Sequence, residues 1–137
     1  MAVPGMSAYC ASKFAVEGLL ESLGKEVASF GIHVTAIEPG SFRTDWAGRS
    51  MDRTPRSIDD YDAVMDPVRA ARQAKSGNQP GDPAKAAQAL LAIVDAPNPP
   101  TRLFLGDDAL ALVDQKLEAM KEEMAQWEAL SRSTSFA

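Results

Sequence analysis

Between Phe14 and Phe30 the apolar positions fall at helical spacing: Phe14, Val16, Leu19, Leu20, Leu23, Val27 and Phe30. Ala8, Ala11, Ala15, Gly18 and Gly24 supply small positions among them. The spacing predicts a helix from Ser7, a candidate N-cap after the Pro4-Gly5 turn, to about Phe30, with Gly31 as its C-terminal stop. Apolar and small positions fall on more than one side, which predicts a helix packed on two faces. The period then changes. Ile32 to Ile37 is a branched run closed by Glu38-Pro39-Gly40, the pattern of a short buried strand.

Polar residues dominate from Ser41 to Gly81. Inside that stretch Asp66-Pro67 predicts an N-cap and first helical residue, opening a helix that runs to about Lys75. So long an excursion after a strand reads as a lid or binding loop over 45–81, with a floppy insertion as the plain alternative. Asp82-Pro83 repeats the start signal, and Ala86, Ala87, Leu90, Leu91, Ile93 and Val94 form another apolar helix. The run Ala96-Pro97-Asn98-Pro99-Pro100 ends it, and Arg102 to Leu105 predicts a second strand. After Gly106, Asp107 is placed to cap a last helix with the seam Leu110, Val113, Leu117, Met120, Met124 and Trp127. That seam is expected to cover the domain's own core or a subunit neighbour. Residues 131–137 read as a frayed polar tail.

A length of 137 residues suits one core and not two. The net charge of −5, with no basic cluster, argues against nucleic acid or an anionic membrane surface as partner. The single cysteine, Cys10, has no internal disulfide partner and points to a reducing compartment. It lies in an apolar helical run, where an inert buried thiol is expected. His33 has no Cys or carboxylate cluster beside it, so it reads as a strand-start surface residue and no metal is expected. No secretory h-region follows Met1 and no apolar run has bilayer length, so the expected location is cytoplasmic, with no membrane partner.

Tyr9 and Lys13 are four residues apart on the first predicted helix, which puts their Cβ atoms about 5–6 Å apart on one face. An ammonium beside a phenol favours phenolate, and such a Tyr is suited to give or take a proton near neutral pH. The bare pair is equally what a half-buried Tyr with a Lys stem alongside it would give.

Order adds what the pair lacks. Tyr9-Cys10-Ala11-Ser12-Lys13 heads a helix, a glycine ends it, a branched strand follows, and the strand runs into Pro39-Gly40-Ser41-Phe42-Arg43-Thr44. This arrangement resembles the short-chain dehydrogenase/reductase family over nearly the whole chain. The wording of Tyr9 to Lys13 and of Phe42-Arg43-Thr44-Asp45 is most similar to its 17-beta-hydroxysteroid-dehydrogenase-like group. The resemblance implies an α/β fold: the C-terminal portion of a Rossmann-type doubly wound parallel sheet, with about two strands and four helices, so that 1–137 is a single partial domain. It implies an NAD(P)-dependent oxidoreductase acting on small-molecule alcohols or carbonyls, with NAD or NADP as cofactor. Tyr9 would be the catalytic acid/base. Lys13 would lower the Tyr9 pKa and hydrogen-bond the cofactor ribose. Pro39 and Gly40 would form the turn beside the nicotinamide, Gly40 letting backbone approach the ring. The backbone of Phe42 and the hydroxyl of Thr44 would hold carboxamide and pyrophosphate. Relatives pair through the long helix, which implies a homo-oligomer in the full-length form.

The chain also departs from the family pattern. No Gly-rich turn able to bind dinucleotide phosphates at a helix N-terminus occurs in it. The family's catalytic serine and asparagine would precede Met1, and Ser7 is too close to Tyr9 to stand in. The chain is therefore expected to be a truncated member, inactive alone, with a marginal two-stranded sheet, an unpaired edge and an uncovered helix face. The alternatives are a non-catalytic remnant serving as an oligomerisation or interaction module, and an unrelated α/β protein in which Tyr9 and Lys13 are ordinary surface residues.

Overall fold

A computed structural model describes residues 2–136. The elements run α1 (Ser7–Val27), β1 (Ala36–Pro39), α2 (Asp62–Lys75), α3 (Pro83–Val94), β2 (Arg102–Leu105) and α4 (Asp107–Arg132), with 3-10 turns at Ala28–Phe30, Asp45–Ala47 and Asp59–Tyr61. β1 and β2 pair in parallel, Ala36 opposite Arg102 and Pro39 opposite Leu105. A parallel pair requires a crossover, and this one carries α2 and α3. The mixed α/β class and the count of two strands and four helices are as the sequence predicts.

The boundaries depart from expectation for local physical reasons. The N-cap of α1 is Met6, with no side-chain cap bond, because Ser7 is already helical and the first turn closes through Cys10 N–H donating to the Met6 carbonyl at 2.8 Å. The α-helix stops at Val27 and tightens into the 3-10 turn Ala28–Phe30, after which Gly31 adopts φ 72° as the expected left-handed stop. Ile32 to Thr35 are not strand, and His33 therefore does not start one. Pairing begins where Ala36 N–H meets the Thr101 carbonyl at 2.9 Å, since the preceding Pro99 and Pro100 have no N–H to extend a ladder.

Helix α2 starts at Asp62, not at Asp66, and holds Pro67 in its interior. The 3-10 turn Asp59–Tyr61 leads directly into it, and Arg56 and Arg69 both bridge Asp62 and Asp66 along its first turns. Asp82 caps α3 as predicted, its side chain accepting the Ala84 N–H at 2.8 Å. For α4 the cap position falls on Gly106, and Asp107 is the first helical residue. The helix continues to Arg132, so the predicted tail loses its first two residues to it. Met1, and Ala137 at the end of that tail, lie outside the described residues.

Packing is sparse. The buried apolar residues are Cys10, Ala36 and Ala109, and no large side chain among the described residues is fully buried. α1 turns Cys10, Glu17, Leu20, Gly24 and Val27 inward, while Phe14, Val16, Leu19 and Leu23 on its other side are exposed. Of the two predicted packing faces, one is partly covered and the other is open. Along α4 the seam residues Leu117, Met120, Met124 and Trp127 are all exposed, so the seam does not cover a core within the described residues. Arg102 ties α1 to the sheet, donating to Glu21 at 3.1 Å with Glu38 at 3.4 Å and Glu17 at 4.0 Å. Glu38 is pushed above the usual carboxylate range by burial and then by the neighbouring Glu17, with Arg102 acting against both.

Candidate functional site

The first turns of α1 carry Tyr9 and Lys13. The helical step places the Lys13 ammonium 5.4 Å from the centroid of the Tyr9 ring, over its face at cation–π distance. Ser12, within the same motif, donates its hydroxyl to the Tyr9 carbonyl at 2.7 Å. Tyr9 is 43% exposed and lines the cleft at the head of α1.

The other ring beside Tyr9 is Trp46, at 5.9 Å between centroids and tilted by 52°. Trp46 sits in the 3-10 turn Asp45–Ala47, whose cap is Thr44, with Thr44 Oγ1 accepting the Trp46 N–H at 3.4 Å. Through Trp46 the head of α1 meets the loop after β1. No other ring contact, and no hydrogen bond, joins Tyr9 or Lys13 to Pro39, Gly40, Phe42 or Thr44 among the described residues. The sequence reading missed Trp46. The available signal was an aromatic two residues beyond Thr44 in an otherwise polar stretch.

Pro39 ends β1, and Gly40 N–H continues the ladder to the Leu105 carbonyl at 2.8 Å. A Cβ at Gly40 would collide with Asp108 Oδ1 and lie 3.1 Å from the Ala109 backbone nitrogen. The close approach that demands glycine here is therefore made by the start of α4. Phe42 bridges Gly81, with Gly81 N–H donating to the Ser41 carbonyl and Arg43 N–H to the Gly81 carbonyl. The Arg43 guanidinium fastens the same contact by donating to the Gln79 carbonyl at 3.1 and 3.3 Å.

Asp108 is a second residue the sequence reading missed, having given the cap role to Asp107. Asp108 Oδ2 accepts the Ser41 N–H at 2.9 Å, and Oδ1 accepts the Ala109 N–H at 3.1 Å. Lys75 closes the group by donating to the Ser41 hydroxyl at 3.2 Å. Burial pushes the Asp108 carboxyl up, but hydrogen bonding from Ser41 and Ala109 and the Lys75 charge outweigh it, and the net shift is downward. A carboxyl depressed in the folded state adds stability that is present above its unfolded pKa and is lost as pH falls through the folded value. Hydrogen exchange of segment 39–44, corrected for intrinsic rate, is therefore expected to be pH-independent above about pH 5 and to lose protection below about pH 4. In Asp108→Asn the segment loses about tenfold in protection at neutral pH, and the acid limb disappears. An acid limb that survives the substitution would assign it to another group.

The residues that could hold a nicotinamide can be judged on their free hydrogen-bonding capacity. Phe42 N–H has no acceptor among the described residues, its carbonyl being taken by Thr44 N–H at 2.9 Å. Thr44 Oγ1 accepts from Trp46 and keeps its own O–H to donate. Gln79, against the same loop, is 4% exposed with its Oε1 unpartnered. These groups fit an amide and an adjacent oxyanion. The sequence contains no Gly-rich turn to cradle the dinucleotide phosphates at a helix N-terminus. Among the described residues no group of His, Cys, Asp or Glu is placed to hold a metal, and no helix is long and apolar enough to cross a membrane.

Comparison with known proteins matches this geometry to one family. The family model for short chain dehydrogenases matches residues 1–54, the span that holds Tyr9, Lys13 and the turn after β1. Oxidoreductase BOA17 of Botryotinia fuckeliana is 37% identical over 132 residues, covering 96% of this chain and 48% of that protein. The 17-beta-hydroxysteroid dehydrogenase type 1 of Mus musculus is 33% identical over 123 residues, covering 86% of this chain and 35% of that protein. A crystal structure of a short-chain dehydrogenase from Streptomyces avermitilis superposes with a TM-score of 0.85 at 40% identity, covering 99% of this chain and 49% of that one. The chain thus spans about half the length, or less, of the relatives it matches. Its two parallel strands and four helices form part of a Rossmann-type α/β fold. The shared fold, the matched Tyr9-to-Thr44 span and the relatives together show that the chain belongs to the short-chain dehydrogenase/reductase family.

Proposed function

We propose that this chain supplies the catalytic and nicotinamide-facing part of an NAD(P)-dependent oxidoreductase acting on an alcohol or carbonyl group. The observation that carries the reading is the double contact of Tyr9, with the Lys13 ammonium over its ring and Trp46 against its side. It sets the part-exposed Tyr9 between the Lys13 ammonium and the loop that holds Phe42 and Thr44. In the reducing direction the Tyr9 hydroxyl gives its proton to the carbonyl oxygen as the carbonyl carbon gains hydride, and in the other direction it takes the alcohol proton. NADH or NADPH, when bound, supplies that hydride. Lys13, with its ammonium over the Tyr9 ring, offers donors to a ribose. Phe42 N–H and the Thr44 hydroxyl are the donors suited to carboxamide and pyrophosphate, on the turn that Asp108 holds in place. The dinucleotide phosphates need a glycine-rich turn at a helix N-terminus, which must come from outside these 137 residues.

The test joins these residues behind the half of the Streptomyces avermitilis dehydrogenase that the chain does not cover. The fusion is expected to oxidise NADH or NADPH in the presence of aldehydes and ketones, and the 137-residue chain alone is expected not to. Turnover by the chain alone, or none by a folded fusion, would sink the reading.

A further inference from the structure

Tyr9 also lines a cleft of about 360 Å³ between the head of α1, the 51–54 loop and α2. Its apolar wall includes Met6, Met51 and Met65, flexible side chains that adapt to varied carbon skeletons. Its polar wall reverses the sign of the chain. The protein carries −5, yet the cleft presents Arg53, Arg69 and Arg72 against a single carboxylate, Asp52. Arg69 is spoken for by Asp66 at 3.5 Å and Asp62 at 3.9 Å, which also take Arg56.

Arg72 is different. Its Nη2 donates to the neutral Pro4 carbonyl at 3.1 Å, and no carboxylate among the described residues pairs with it. That bond uses one of its five N–H donors and anchors the guanidinium to the segment just ahead of α1, half-buried at the wall. A half-buried guanidinium without a counter-ion gains most from a ligand that brings one, in the forked geometry that suits carboxylate and phosphate.

We infer that the cleft selects alcohol or carbonyl substrates bearing an oxyanionic group, a carboxylate or a phosphate, which Arg72 holds while the apolar stem lies along the methionines. The inference rests on the reading of Tyr9 as the acid/base, since that reading makes the cleft a substrate site. Arg72 is the specificity-determining residue, and the electronegative remainder of the chain disfavours the same ligand elsewhere.

Binding tests this without turnover. Trp127→Phe leaves Trp46, beside Tyr9, as the sole tryptophan reporter. The fusion, with any tryptophan of the joined half also replaced by Phe, is titrated with levulinate against methyl levulinate, and with dihydroxyacetone phosphate against dihydroxyacetone. At least one anion is expected to quench Trp46 at about tenfold lower concentration than its neutral counterpart, and the difference is expected to shrink as salt is added. The pair that shows it tells carboxylate from phosphate. Arg72→Met abolishes the difference with an unchanged far-ultraviolet spectrum, and Arg132→Met, remote on α4, leaves it intact. Equal quenching by anion and neutral analogue, or a preference that survives Arg72→Met, overturns the inference. Selective anion binding by a fusion that never turns over would instead overturn the oxidoreductase reading and leave the anion site standing.

Discussion

Tyr9→Phe in the fused enzyme is expected to lower kcat by about a hundredfold to ten-thousandfold, the range that one positioned acid/base supplies. The substitution removes one oxygen and keeps the ring that packs at 5.9 Å on Trp46 and carries the Lys13 ammonium at 5.4 Å. Protein stability and KM should therefore change little, and the loss should sit in kcat. A Lys13→Met variant should lose activity too, because the cation over the Tyr9 ring and its donors are gone. If Tyr9→Phe kept a tenth or more of wild-type kcat, another group would be moving the proton and Tyr9 would be a packing residue.

How much of this was legible beforehand depended on how local the cause was. The first helix and the Asp82-Pro83 start follow from spacing and capping within a few residues, and they stand where the sequence puts them. The strand after Gly31 did not, because its start is set by Pro99 and Pro100, which lie far along the chain and decide where a parallel partner offers hydrogen bonds. The sequence alone pointed to Asp107 as the cap. Only the return of α4 to Ser41 selects Asp108, and that contact spans 67 residues. Gly40 was legible as a place of close backbone approach, whereas the Asp108 and Ala109 atoms of α4 that would meet a Cβ there were not. Tyr9 and Lys13 could be paired from a helical repeat alone, whereas Trp46 arrives through the loop's own turn at Thr44. The α2 start was misplaced because Asp66-Pro67 is a sound start signal that the Arg56 and Arg69 bridges to Asp62 override.

The second large effect concerns the surface. A folded monomer of 14.6 kDa exposes roughly 6,900 Å² by the usual scaling of area with mass, and this chain exposes 10830 Å². The excess, roughly 3,900 Å² on this chain alone, is more than one partner's share of most obligate interfaces. It is apolar where it is most continuous, on Phe14, Leu19 and Leu23 of α1 and on the α4 seam. The 137-residue chain alone is therefore expected to bind a hydrophobic dye such as ANS and to melt over a broad interval. The fusion should suppress the dye signal and unfold in one cooperative step. A single substitution separates covered from bare. Leu19, 65% exposed here, should tolerate replacement by Ala in the isolated chain at a cost of less than about 0.5 kcal/mol, as at other open surface sites. In the fusion the same Leu19→Ala should cost about 2–5 kcal/mol, the range for a leucine deleted from a packed interior. Equal small costs in both would mean that this face of α1 stays open to solvent in the complete fold. Equal large costs would mean that the isolated chain already buries it by self-association.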